Sequence, residues 1–265
     1  MKKDTVVCED FTMDYAVFGN GPENLVIIPG VSTNKVTDAV EMVAEMYKPY
    51  QEYFTCWLFD RKNNMEDGYT MEEMAEDTVQ AIKALGIEKA SLLGTSQGGM
   101  ISMVIAARYP ELVDKLCLNC TCAKSNDVIR AAAGRWIEQA ENGRTDELTV
   151  DMTKALFTDA EIARFDLINA SLANLPDQES LNRFVIMSRP LLDFDFTNVL
   201  DDIQADALLM GPAEDKVLSA ESSRDTAELI GCPVYQFKGC GHAAYDTCPE
   251  LKAKMFEFFT KQFLH

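Results

Sequence analysis

The chain has 265 residues, 47% of them hydrophobic, enough to bury a sizeable core; disorder is excluded and one large domain or two small ones are expected. Its 43 acidic against 24 basic side chains leave a formal charge of −19, which repels phosphate backbones and anionic lipid headgroups, so no nucleic-acid partner is expected. The longest mostly apolar run, residues 100–107, falls far short of the roughly 18 to 20 residues of a membrane span, so no integral membrane segment is expected.

The start, Met1 to Thr5, carries two lysines but runs into Asp4, Glu9 and Asp10 instead of an apolar stretch, so no secretory signal is read there. Eight cysteines without regular spacing then read as reduced thiols, and a cytoplasmic location is expected. In chain order, apolar runs at 13–18, 24–28, 55–60, 89–93, 115–119, 205–210 and 233–237 read as strands. Turns and segments of helical spacing follow them, the pattern of βα units that build a mainly parallel sheet. Over residues 70–85, Met71, Met74, Ala75, Val79, Ile82 and Leu85 share one face, Thr70 and Glu73 predict a capping box, and Gly86 predicts the stop.

The alternation fails over residues 125–198, where strand-like runs vanish and helical segments at 128–141, 150–157 and 160–173 succeed one another. An inserted helical piece is expected there. Its 7 basic and 13 acidic residues share the acidity of the rest, so it is no basic arm. In the last segment Phe256, Phe259 and Phe263 recur at intervals of three and four, predicting an amphipathic helix laid on the sheet.

Chemistry concentrates in Gly94-Thr95-Ser96-Gln97-Gly98, with Gly99 behind it, lying between the run ending at Leu93 and a helical run. A nucleophilic serine must be presented at the tip of a strained turn, and residues without a Cβ two before and two after let the backbone fold back on itself. The helix that starts behind Ser96 aims free N–H groups at the reacting centre, and Gln97 supplies one of them for an oxyanion. Serine needs a base, most often histidine. Of the two histidines, His265 ends the chain, where fraying is expected, and His242 sits in the tight loop Gly239-Cys240-Gly241-His242-Ala243; His242 is the expected base. Asp215, just past the strand-like run ending at Met210, is the expected acceptor that fixes the imidazole tautomer, with Glu214 beside it as the alternative. The second oxyanion donor is expected from the loop Pro29-Gly30-Val31-Ser32, through the Val31 N–H. Asp60-Arg61 reads either as part of the same mouth or as a structural ion pair.

Cys117, Cys120 and Cys122 are close in sequence, but no histidine lies near them, so no metal site is expected. With a period of two, Cys120 and Cys122 would share a strand face and Cys117 the opposite one, all three as buried small hydrophobes.

These residues resemble the α/β-hydrolase superfamily over nearly the whole chain, through Leu25-Val26-Ile27-Ile28-Pro29-Gly30, Phe59-Asp60-Arg61, Gly94-Thr95-Ser96-Gln97-Gly98-Gly99 and Gly241-His242. The resemblance implies an α/β-hydrolase fold: a mostly parallel eight-stranded sheet flanked by helices, with a helical cap inserted after the sixth strand. Residues 1–124 and 199–265 would form the core and 125–198 the cap. Three departures leave the subfamily open. Pro29-Gly30 stands where many members have His-Gly, Thr95 where His is frequent, and Lys62-Asn63-Asn64 in place of a Pro-Gly-rich turn.

The expected activity is hydrolysis of a carboxylic ester or related acyl bond in a small molecule, through a Ser96–His242–Asp215 triad and an acyl-enzyme, without cofactor or metal. Trp136, Leu156, Phe157 and Phe165 are expected to roof an apolar pocket, or to pack the insert together. Two rivals use the same residues: a lyase or cofactor-free perhydrolase on the same fold, and a ligand-binding receptor with a vestigial triad.

Overall fold

Eight strands pair in the order β1-β2-β4-β3-β5-β6-β7-β8 in the computed structural model, which describes residues 1–263; His265 lies outside the described residues. They are β1 (Lys2–Val7), β2 (Thr12–Phe18), β3 (Glu23–Ile28), β4 (Phe54–Lys62), β5 (Ala90–Thr95), β6 (Val113–Asn119), β7 (Asp206–Pro212) and β8 (Val234–Phe237). β2 pairs antiparallel with β1 and with β4; every other pairing is parallel. The sheet is therefore the mostly parallel, eight-stranded one that the sequence resemblance implies.

All seven apolar runs read from the sequence are strands, and β1 is the one that reading omits. Lys2-Lys3-Asp4-Thr5-Val6-Val7 is an edge strand with only Val6 buried, so it carries no apolar alternation to detect. In the centre the opposite holds. All six residues of β5 are buried, because helices cover both faces of the sheet there.

The two faces follow the strand period of two: Val26 and Ile28 of β3 enter one core cluster, Leu25 and Ile27 the other. Against the other face pack α1 (Val40–Met46) and the aromatic end of the chain. On the first face lie α2 (Met71–Ala84), with the expected Thr70–Glu73 capping box, and α3 (Gln97–Arg108), the buried helix behind Ser96. Between β6 and β7 run α4 (Asp127–Glu141), α5 (Thr145–Leu156), α6 (Asp159–Phe165), α7 (Leu167–Leu172) and α8 (Gln178–Ser188). The helix expected over 160–173 is two, broken at Asp166, whose φ of 50° takes it out of the helical region.

The remaining helices are α9 (Ala220–Ile230), the short α10 (Ala244–Thr247) and α11 (Pro249–Thr260). Phe256 and Phe259 of α11 meet Tyr50 edge to face at 5.3 and 6.2 Å, and Phe263 lies 5.2 Å from Tyr53, so the aromatic stripe of the last segment is laid on the sheet. No helix among the described residues is long and apolar enough to cross a membrane.

One expectation about the cysteines is corrected. Cys117 and Cys120 pack on the same side of the sheet and Cys122 on the other. β6 ends at Asn119 and Cys120 has a φ of 50°, so the strand period does not extend through the three. All three are buried free thiols.

Candidate active site

The chain reverses direction across the sheet at β3, which lies between β4 and β5, and the crevice outside the carboxyl ends of β3 and β5 is where such sheets place ligands. Ser96 stands at that point, between β5 and α3, with φ 53° and ψ −121°, a conformation that costs a non-glycine residue about 1–3 kcal/mol. Neighbouring groups hold it: the Ser96 N–H donates to Asn119 O at 2.8 Å, and the Thr121 hydroxyl donates to Ser96 O at 2.8 Å. The flanking glycines answer a steric demand. A Cβ on Gly94 would lie 2.6 Å from Gly98 O, and one on Gly98 would lie 2.5 Å from Pro29 O.

Three side chains far apart in sequence meet here. His242 Nε2 is 3.1 Å from Ser96 Oγ, and His242 Nδ1 is 2.8 Å from Asp215 Oδ2. The other carboxylate oxygen of Asp215 accepts the N–H groups of Val217 at 2.7 Å and Leu218 at 2.9 Å. Burial raises the Asp215 carboxyl, but His242 and these two N–H donors outweigh it and hold the group below its ordinary value. Asp215 is thus an anion fixed on both oxygens, and an Nδ1–H directed at it leaves Nε2 free to accept the serine proton. Glu214, the alternative acceptor, is exposed to solvent.

The two expected oxyanion donors are placed as follows. Gln97 opens α3, so its N–H is one that a helix leaves without an intrahelical partner. Val31 lines the same small cavity as Ser96 and His242, and its neighbour Gly30 lies directly against the serine side chain. Arg61, left between two readings by the sequence, braces this loop: buried behind it, the guanidinium donates to Pro29 O at 2.8 Å and approaches Gln97 Oε1 at 3.4 Å. Burial lowers the Arg61 guanidinium to about 10, where it is still charged at neutral pH. Asp60 is not its hydrogen-bond partner. Its carboxylate accepts the Val36 and Thr37 N–H groups and the Thr37 hydroxyl, with Arg183 of α8 at 3.6 Å.

Above Ser96 lies a small cavity of about 50 Å³, walled by apolar residues of α4 and α5. Trp136 and Leu156 line it as expected. Phe157 and Phe165 do not; the Phe165 side chain is half exposed on the outer side of the short α6. The insert also grips the histidine loop directly, since the Ala243 N–H donates to Leu156 O at 2.9 Å and the Gly241 N–H to Glu161 Oε2 at 3.3 Å. Sequence reasoning misses Thr121, Tyr245 and the bracing role of Arg61. Only Arg61 carried a signal, its place at a strand end beside Asp60.

The chain is similar to known proteins in both sequence and shape. The family model for the alpha/beta hydrolase fold matches residues 54–145. The 3-oxoadipate enol-lactonase 2 of Acinetobacter baylyi is 22% identical over 236 residues, 86% of this chain and 85% of that protein. MGS-M2, an alpha/beta hydrolase enzyme from a deep-sea metagenome library, superposes with a TM-score of 0.85 at 17% identity over 97% of each chain. The enol-lactonase of Burkholderia xenovorans LB400 does so with a TM-score of 0.82 at 17% identity, over 97% of this chain and all of that one.

Proposed function

Since the chain belongs to the α/β-hydrolase fold superfamily, we propose that it is a serine hydrolase that cleaves a carboxylic ester or lactone through an acyl-enzyme. The hydrogen-bonded series Ser96 Oγ, His242 Nε2, His242 Nδ1, Asp215 Oδ2, begun by a serine held in a strained backbone conformation, carries this reading.

In the first half-reaction His242 takes the Ser96 proton as the oxygen attacks the carbonyl carbon. The N–H groups of Val31 and Gln97 stabilise the tetrahedral oxyanion, and Asp215 stabilises the imidazolium. His242 then returns the proton to the leaving alkoxide, and the alcohol departs from an ester or, from a lactone, stays attached to the acyl group as its hydroxyl. In the second half-reaction water takes the place of the serine: His242 accepts its proton, the acyl–oxygen bond to Ser96 breaks, and the serine regains a proton as the acid leaves. No step calls for a metal or cofactor. Residues 125–198 act as the cap, their apolar wall holding the acyl portion while water is kept from the first step.

The enol-lactonase relatives favour ester and lactone substrates over the lyase and perhydrolase alternatives, and the completeness of the triad favours turnover over a vestigial receptor. Eight free thiols suit the reducing cytoplasm proposed as its location.

The test is labelling with a fluorophosphonate, followed by mass spectrometry and a panel of p-nitrophenyl esters and lactones. Labelling on Ser96 with multiple turnovers is the expected result. A label elsewhere, or an undiminished reaction in Ser96→Ala, would overturn the site. A stable Ser96 adduct with negligible turnover of every substrate would favour the receptor instead.

A further inference from the structure

One buried side chain joins three parts of the site that are remote in sequence. Gln97 is fully buried, and its backbone N–H is one of the two proposed oxyanion donors. Its side-chain amide has a partner at each end: Nε2 donates to Met187 O at 2.5 Å, and Oε1 accepts from Arg61 Nη2 at 3.4 Å. The same Arg61 nitrogen donates to Pro29 O at 2.8 Å, two residues before Val31.

Only one orientation of this amide serves. Turned over, it would set its NH₂ against a guanidinium and its oxygen against a carbonyl, so both contacts would repel. A glutamate could answer Arg61 but not Met187 O, and a methionine of similar size could answer neither. With no solvent to stand in for a lost partner, each substitution leaves a buried group unmet.

The partners show what the link holds. Met187 lies in the last turn of α8, the final helix of the insert, among the carbonyls that a helix leaves without an intrahelical donor. Arg61 lies near the end of β4, and Pro29 follows β3. Gln97 is the first residue of α3, so no bond of its own helix fixes its N–H, and the side chain and its partners must set the direction of that group.

We propose that the Gln97 side chain is a positioning link of the oxyanion hole. It sets the Gln97 N–H and, through Arg61 and Pro29, the Val31 N–H relative to Ser96, and it takes its own place from the Met187 carbonyl of the insert. The proposal rests on the acyl-transfer reading above and gives the insert a share in the reaction besides walling the cavity.

The experiment measures hydrolysis of the best p-nitrophenyl ester of the panel by the parent, Gln97→Met, Arg61→Met and the double variant, all of which keep the backbone N–H groups. Gln97→Met is expected to lower kcat about tenfold with KM held within about twofold. The double variant is expected to fall no more than about twofold below the weaker single variant, because the two side chains act as a unit. An unchanged kcat, a loss confined to KM, or losses that multiply in the double variant overturn the proposal; multiplied losses are what independent packing roles would give. Should Gln97→Met fail to fold, Gln97→Glu, which keeps the acceptor for Arg61 and lacks the donor to Met187 O, is expected to show the same loss, and full activity in it overturns the proposal. The rate of Ser96 labelling by a fluorophosphonate uses the same N–H donors without any ester, and so separates the two readings. If the parent is labelled on Ser96 but hydrolyses no ester or lactone, the acyl-transfer reading fails; labelling about tenfold slower in Gln97→Met then upholds the link, and equal labelling overturns it.

Discussion

The carboxyl edge of the sheet and the helical insert above it differ in how fully their buried polar groups are paired, Arg61 Nε being the edge's one exception. At the edge, Asp215 is bonded on both oxygens, His242 on both ring nitrogens, and the Ser96 backbone on both N–H and C=O. In the insert, Trp136 Nε1, Gln139 Oε1, Arg183 Nε and Nη1 and Ser188 Oγ are buried without a hydrogen-bond partner, five of the seven such side-chain atoms among the described residues. An unmet buried donor or acceptor costs about 1–3 kcal/mol, so the insert's own packing carries the larger penalty. The cavity beneath it, about 50 Å³, is walled by apolar residues of α4 and α5 and lined by Ser96 and His242. The edge is the better satisfied of the two regions.

The largest effect is expected where the satisfied network loses a member. Asp215→Ala removes the only side-chain acceptor of His242 Nδ1 and should lower kcat by about 10⁴-fold against the best ester found. A loss below tenfold would mean that the order at the edge does not serve the reaction. Next comes the brace behind the oxyanion loop. Arg61→Met leaves Pro29 O without its donor and should lower kcat by about 10- to 100-fold with little change in KM. A change confined to KM would place Arg61 in substrate binding.

A third prediction sets Asp215 of the edge against a second buried acid, Asp246. Burial raises Asp215, but His242 and its N–H donors leave it below the ordinary 3.8, so it contributes stability above 3.8 that is lost as pH falls through its folded value. Asp246, pushed up to about 6 by burial, has the opposite sign: its ionisation opposes folding, and stability is recovered as pH falls from above 6 toward 3.8. The groups around it are Tyr47, Tyr245, Cys120 and Lys252, and burial raises the two tyrosines and the thiol, which stay neutral in that window. Asp246→Asn should therefore raise the melting temperature at pH 8 and have progressively less effect toward pH 4, followed by scanning calorimetry. An equal effect at both ends would contradict the assignment.

The smallest effect belongs to the insert. Trp136→Phe removes an unpartnered donor while keeping most of the apolar body, so the change in unfolding free energy should stay within about 1 kcal/mol in either direction. Native-state hydrogen exchange sharpens the same contrast: amides of α4 and α5 should exchange through a local opening that β5 and α3 do not share. Uniform protection across the two regions would remove the contrast.

Much of this molecule is written locally. The apolar runs of β2 through β8 and the caps of α2 can be read from the sequence alone, because strand and helix signals are properties of a few consecutive residues. The elbow is legible as a motif of spacing; Gly94 answers a steric demand from the turn and helix that follow it, whereas Gly98 makes room for Ile28 and Pro29 of the neighbouring strand and loop. β1 is not legible, because an edge strand needs little apolar surface. The period of two also misleads after Asn119, where Cys120 leaves the strand.

What the sequence by itself determined is the set of elements, the strained serine with its glycines, and the candidate base and acid on later loops. Only the tertiary structure decided that Asp215 and not Glu214 faces His242, that Arg61 braces Pro29, and that Phe165 points away from the cavity. It alone brings Met187 O of the insert to the Gln97 side chain, 90 positions away in the chain. The physical reason is that local conformation follows from neighbouring residues, whereas the meeting of distant side chains depends on strand order and loop path, which are fixed by packing across the whole sheet.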